Sequence, residues 1–171
     1  MAHHLTQNYG LKNISVLMDR PPKRYFPLNR DAQHLFLETL PETRGVDRDT
    51  TKILVTSTSY TADEPLEPLL SALESYPEDA TLPNIKLLIT GRGPMQDGYR
   101  RRIAQSTLAE NREGKCGINM VWLEPDDYPR LLACADLGIS LHKSSSGMDF
   151  PMKIIDLYGC GVPVCAANFD A

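Results

Sequence analysis

The 171-residue chain is long enough for one domain with a substantial hydrophobic core. Its 42% hydrophobic and 23% charged residues, with a net charge of −4, describe a globular protein without the basic field that nucleic-acid binding requires. No run approaches the roughly eighteen apolar residues of a membrane span, and no secretory leader is readable behind Met1-Ala2-His3-His4.

The four cysteines, Cys116, Cys134, Cys160 and Cys165, form no C-x-x-C pair. The last three lie in apolar sequence, which is the pattern of free thiols in a reducing compartment. The four histidines do not gather with cysteines at zinc spacing, so neither a structural metal nor another cofactor is expected.

In chain order, Asn13-Ile14-Ser15-Val16-Leu17 predicts a strand, broken by Asp19-Arg20-Pro21-Pro22. A polar, helix-prone stretch follows, then a Thr-, Arg- and Asp-rich segment at 43–51. Residues 1–50 therefore read as the end of a preceding domain and a linker. From residue 51 strand and helix signals alternate. Ile53-Leu54-Val55 is a buried strand followed by the polar loop 56–61, and Asp63 is the expected cap of a helix through Leu66, Leu69, Leu70 and Leu73.

Ile85-Lys86-Leu87-Leu88-Ile89 is the next strand, closed by Gly91-Arg92-Gly93-Pro94 and followed by a basic helix over about 99–111. Ile118-Asn119-Met120-Val121 precedes a helix capped by Asp126 or Asp127 and carrying Leu131, Leu132 and Ala133. Leu137-Gly138-Ile139-Ser140-Leu141 and Pro163-Val164-Cys165-Ala166 are the last two strands, with a helix opened by Pro151 between them.

Apolar strands alternating with amphipathic helices predict a Rossmann-like α/β fold with a parallel sheet covered on both faces. Right-handed crossovers then put every strand-to-helix loop on one edge, where ligands bind. The loops at Ser57, Gly91, Leu123 and Ser144 are thus expected to line one cleft. The sheet ends after residue 166 without a covering helix, so 51–171 reads as an incomplete nucleotide-sugar-binding domain.

Ser144-Ser145-Ser146-Gly147 is a small-residue loop whose hydroxyls and amides suit a phosphate. Lys153 sits in the first turn of the Pro151 helix, where a cation opposes the helix dipole unless it meets an anion. Asp156 is one turn on and suits ribose hydroxyls. From spacing alone a ligand site and a solvated Lys–Asp face both remain open. The Gly91-Arg92-Gly93 loop is equally a phosphate loop or a tight turn, since it lacks the third glycine of a dinucleotide fingerprint.

Asp47-Arg48-Asp49 has the D-x-D spacing of metal-dependent glycosyl transfer, but it precedes a strand and reads as a solvated charge cluster. Asn13-Ile14-Ser15 is a chance glycosylation sequon. Trp122 is expected in the core or the cleft wall; His142, just after a strand, has the reach to enter the cleft but is expected as a satisfied structural histidine.

Residues 141–153, Leu-His-Lys-Ser-Ser-Ser-Gly-Met-Asp-Phe-Pro-Met-Lys, strongly resemble the donor-site signature of the chitobiosyldiphosphodolichol β-mannosyltransferases. The segments 57–64, 89–94, 122–129, 136–141 and 161–166 extend the likeness from about residue 16 to the end. The resemblance implies the C-terminal half of a glycosyltransferase-B fold, truncated at both ends. It implies GDP-mannose as donor, dolichyl-diphosphate chitobiose as acceptor, and an inverting transfer that makes a β1,4 linkage in N-glycan precursor assembly.

By the same resemblance, Pro151, Lys153 and Asp156 match a Pro-x-Lys-x-x-Glu pattern, with Asp in place of Glu. Ser57, Thr58, Ser144, Ser145, Ser146, Gly147 and Asp149 would face the donor. Gly91, Arg92 and Gly93 would border the cleft, and Leu123 would lie near the base. The relatives carry a membrane anchor and an acceptor-binding N-terminal domain, where the general base is expected, so no catalytic residue is assigned in this chain. The resemblance implies an enzyme on the cytosolic face of the endoplasmic reticulum membrane, with other glycosyltransferases of the pathway as further partners. The alternatives are another glycosyltransferase-B enzyme or epimerase with a different nucleotide sugar, and a nucleotide-sugar-binding module without turnover.

Overall fold

The computed structural model describes residues 2–15, 17–109, 115–143 and 151–168. Two short helices, α1 (Ala2–Tyr9) and α2 (Arg30–Leu37), precede the sheet. Five strands then alternate with four helices: β1 (Thr51–Ser57), α3 (Glu67–Glu74), β2 (Asn84–Thr90), α4 (Gln96–Ala104), β3 (Cys116–Val121), α5 (Tyr128–Ala133), β4 (Leu137–Ser140), α6 (Met152–Gly159) and β5 (Val164–Ala166). All pairings are parallel, in the order β3-β2-β1-β4-β5. The strand order reverses between β1 and β4, which opens a crevice at their carboxyl ends.

The two-residue period of the strands builds both cores. Ile53, Val55 and Leu88 point into one, with Leu131 and Leu132 of α5 and Leu157 of α6. Leu87, Ile89 and Ile118 point into the other, with Leu69, Leu70 and Leu73 of α3 and Tyr99 and Ile103 of α4. Strands buried on both faces explain the continuous apolar runs in the sequence.

The segment before β1 is tied to the first core. Asn29 caps α2 by accepting from Ala32 N at 2.9 Å, and Tyr25, Phe36 and Leu37 are buried against α5 and α6. Gln33 donates to Ala133 O at 2.7 Å. Arg48 donates to Cys134 O at 2.7 Å and to Asp136 Oδ2 at 2.9 Å, and the same carboxylate oxygen accepts from Ile53 N at 2.7 Å. The D-x-D spacing thus serves the amino edge of the sheet, with Asp47 accepting from Asp49 N and Thr50 Oγ1.

Several sequence expectations are corrected. Residues 13–15 and 17 form no strand; Asn13 has a φ of 57° and Leu17 is 94% exposed, so apolar type alone did not bring this segment to a sheet. Asp63 does not cap α3, which begins at Glu67 with Pro68 in its first turn. The Leu66 amide donates instead to the Tyr99 hydroxyl at 3.1 Å. Asp127 occupies the N-cap position of α5, but its carboxylate pairs with Arg130 rather than with the backbone. The helix α4 begins three residues before the expected Tyr99 and ends at Ala104, while residues 110 and 111 of the expected helix lie outside the described residues. Cys165, read from its apolar surroundings as buried, is exposed on the edge strand β5, whereas Cys116 on the other edge is buried in the core cluster with Tyr99 and Ile103 of α4.

Gly138 of β4 explains how α6 reaches the sheet. A Cβ there would lie 2.3 Å from Leu157 Cδ1, a side chain only 4% exposed. Gly138→Val should therefore destabilise the fold by about 1–3 kcal/mol through overpacking. Urea denaturation checks this, and the penalty should shrink in a Leu157→Ala background that provides the missing space.

Candidate functional site

The carboxyl edge of the sheet carries a cleft of about 730 Å³, the size of a small-ligand site. Ser57, Thr58 and Ser59 line it after β1, Thr90, Gly91 and Arg92 at the end of β2, and Trp122, Leu123, Glu124 and Pro125 after β3. Tyr128 of α5 and Lys153 of α6 complete the far wall, with Arg24 and Tyr25 from the segment before α2. The expected convergence of the Ser57, Gly91 and Leu123 loops is thus observed. Ser144, Ser145, Ser146, Gly147 and Asp149 lie outside the described residues.

At the centre of the β1–α3 turn is Glu64, only 4% exposed. Its Oε2 accepts from Ser59 N at 2.6 Å, Ser59 Oγ at 2.9 Å and Thr58 Oγ1 at 3.0 Å. Its Oε1 accepts from Lys153 Nζ. Burial alone would raise the Glu64 pKa, but the Lys153 ammonium and the Ser59 donors outweigh it and hold the carboxyl below its usual range. His142 Nδ1 stands 3.5 Å from Asp63 Oδ2 and 3.7 Å from Glu64 Oε1, and Lys143 N donates to Asp63 O at 2.9 Å. His142 is therefore engaged with the acidic pair of the β1–α3 turn, the structural role expected of it, although its place after β4 also suited the cleft.

The G-x-G loop answers a packing demand. A Cβ on Gly91, whose φ is 129°, would fall 1.8 Å from Thr58 O, and one on Gly93 would fall 1.6 Å from Ser59 O. The two loops touch backbone to backbone, which only glycine permits. Between them Arg92 lays its guanidinium 3.7 Å from the centre of the Trp122 ring. Trp122 is 56% exposed, so it belongs to the cleft wall and not to the core.

The remaining expected residues divide. Lys153 faces the cleft, and Leu123 does so while packing on the core. Ser57 lines the cleft with its hydroxyl 2.9 Å from that of Tyr128, whose pKa burial pushes up to about 12. Thr58 lines it too, but its hydroxyl is engaged with Glu64 and the Tyr60 amide. Asp156 is not among the lining residues; burial raises its pKa against the opposing effects of the nearby Tyr25 and Arg24. Among the residues that sequence reasoning gave no role are Glu64, Arg24 and Tyr25. Only burial distinguishes Glu64 within a polar loop, and no spacing rule joins residues 24 and 25 to a cleft built after residue 51.

Among the described residues, three of the four charged ones lining the cleft are cations, Arg24, Arg92 and Lys153, against Glu124. In a chain of net charge −4 this is a local reversal of sign, suited to an anionic ligand.

Comparison with known proteins agrees with this architecture. The chain matches the C-terminal domain of a group 1 glycosyl transferase from Francisella tularensis with a TM-score of 0.51 and 12% identity, over 86% of this chain and 70% of that one. The fold is therefore that of a glycosyltransferase C-terminal domain. No family model matches the sequence. Curated relatives do: the chain is 39% identical to the chitobiosyldiphosphodolichol beta-mannosyltransferase of Candida albicans over 173 residues, covering 100% of this chain and 37% of that protein. It is 40% identical to the Candida glabrata protein of the same name, over 99% of this chain and 39% of that one. The Mus musculus protein of that name is 48% identical over 68% of this chain and 24% of its own length. The chain is thus similar over its whole length to proteins named chitobiosyldiphosphodolichol beta-mannosyltransferase, and it spans less than two fifths of the length of these relatives.

The Glu64 pairing predicts a pH dependence. A carboxyl with a depressed folded-state pKa contributes stability above its ordinary value of about 4.5 and loses it as pH falls through the folded value. Glu64→Gln should lower stability by about 1–3 kcal/mol at pH 7 by leaving buried donors unsatisfied. The gap from the unaltered chain should close as denaturation curves are taken from pH 7 toward pH 3; a constant gap would contradict the pairing.

Proposed function

We propose that this chain is the donor-holding part of a β1,4-mannosyltransferase that transfers mannose from GDP-mannose to dolichyl-diphosphate chitobiose. The single observation that carries this is the cluster of Arg24, Arg92 and Lys153 around a cleft at the strand-order reversal. The relatives' shared name supports the mannosyl transfer and the dolichol-linked acceptor. The sequence motif that carries the resemblance supports the guanosine nucleotide.

Inverting transfer breaks the bond between mannose C1 and the β-phosphate oxygen while the acceptor hydroxyl oxygen forms a bond to C1 from the opposite face. GDP leaves with the bonding electron pair. What this chain contributes is charge: Lys153, at the start of α6, meets the negative charge that grows on the departing diphosphate, and the helix N-terminus adds to it. Arg92 and Arg24 extend the positive field along the cleft. The proton of the acceptor hydroxyl goes to a base that we assign to the remainder of a full-length enzyme. Such an enzyme would act at the cytosolic face of the endoplasmic reticulum membrane, although no helix among the described residues is long and apolar enough to cross a membrane.

Calorimetric titration tests this directly. GDP and GDP-mannose should bind, and UDP should bind more weakly. Lys153→Ala should weaken GDP by about 10- to 100-fold, the scale of one charge-assisted hydrogen bond. Preference for UDP would favour a different nucleotide sugar. Absence of binding by any nucleotide would sink the donor-holding role.

A further inference from the structure

We infer that Glu64 is the positioning residue for Lys153: a buried carboxylate that holds the ammonium at the cleft wall and so sets how well the chain binds a nucleoside diphosphate. The inference rests on the proposed donor site and deepens it. Glu64 is fixed from three sides, because Thr58 Oγ1, Ser59 N and Ser59 Oγ all donate to its Oε2. It lies in the turn that connects β1 to α3, 89 residues from Lys153 in sequence. The lysine is the mobile partner, a flexible stem with its side chain 31% exposed and in the cleft. An ammonium has three donors, so one given to Glu64 leaves two for an anion. The same carboxylate shapes the Thr58–Ser59 backbone against which Gly91 and Gly93 pack. His142 and Asp63 are the other titratable groups of this cluster.

Glu64→Gln is nearly isosteric but removes the charge. Its amide must turn an N–H toward either Lys153 or the Ser59 donors, so one side of the cluster loses its acceptor. The test is a double-mutant cycle in the 171-residue chain, with GDP as the probe and titration calorimetry as the readout. Glu64→Gln should weaken GDP about tenfold in the unaltered background and less than about twofold in a Lys153→Met background, because the carboxylate acts through the ammonium. Equal losses in both backgrounds would overturn the inference, since Glu64 would then serve only the fold. Tighter binding by Glu64→Gln would also overturn it, showing that the carboxylate competes with the diphosphate.

Glu64→Asp, which keeps the charge but withdraws it by one methylene, carries the same cycle if Glu64→Gln does not fold. A ligand-free measurement separates failure here from failure of the donor site. Acetylation of Lys153 by an active ester, followed by mass spectrometry, should run several-fold faster in Glu64→Gln or Glu64→Asp than in the unaltered chain. Unchanged reactivity would contradict the positioning whether or not GDP binds; faster reactivity without GDP binding would leave the positioning standing and remove its ligand.

Discussion

A carboxylate taken out of water stays charged only where enough donors replace its hydration, and Glu64 has four. That requirement organises the carboxyl edge of the sheet. To supply Thr58 Oγ1, Ser59 N and Ser59 Oγ, the chain after β1 must fold back on itself within a few residues. The next residue, Tyr60, pays for this turn with a φ of 49° and is wholly buried against Tyr99. The carbonyls of Thr58 and Ser59 then face the β2 loop so closely that only glycines fit at 91 and 93. Arg92, between those glycines, extends over Trp122 and along the cleft. The fourth donor, Lys153, joins α6 to the same point.

The two edges of the sheet use charge differently. At the amino edge, Asp136 Oδ2 accepts from both Arg48 and the Ile53 amide, so its charge joins the segment before β1 to the sheet. At the carboxyl edge Arg24, Arg92 and Lys153 gather around open space, where a cation in a concave, partly apolar setting acts on a ligand more strongly than on bulk solvent. Only Lys153 among them has a buried carboxylate as its partner, which keeps it in place without neutralising the cleft as a whole. Trp122, Leu123 and Pro125 supply the apolar part of the wall.

Much of this was legible in the sequence, for a physical reason. The strands β1 to β4 are largely buried, so they carry apolar runs that stand out in the sequence; Ile85 to Ile89 and Ile118 to Val121 fall inside β2 and β3. The parallel order and the common edge followed from alternation with helices. Where the sequence signal was purely local, the expectation failed. Residues 13–17 have strand-like composition, yet 13–15 and 17 form no strand, and Asp63 has the type of a helix cap but lies four residues ahead of Glu67. Glu64 was hidden because its partners at 58, 59 and 153 come together only in the fold. Arg24 and Tyr25 were hidden because a segment read as linker wraps back onto α5 and α6. The glycines of 91–93 were noticed for the space they might offer a phosphate, whereas the neighbour they make room for is the β1 loop.

The central claim is that an anion belongs at the point where α6 begins, beside a lysine aimed by Glu64. A crystal structure of the chain with GDP tests it most directly. The account predicts a diphosphate oxygen about 3 Å from Lys153 Nζ, at the carboxyl ends of β1 and β4, with Lys153 still bonded to Glu64. A nucleotide bound with its phosphates away from Lys153, or a lysine that has left Glu64 to reach them, would contradict it.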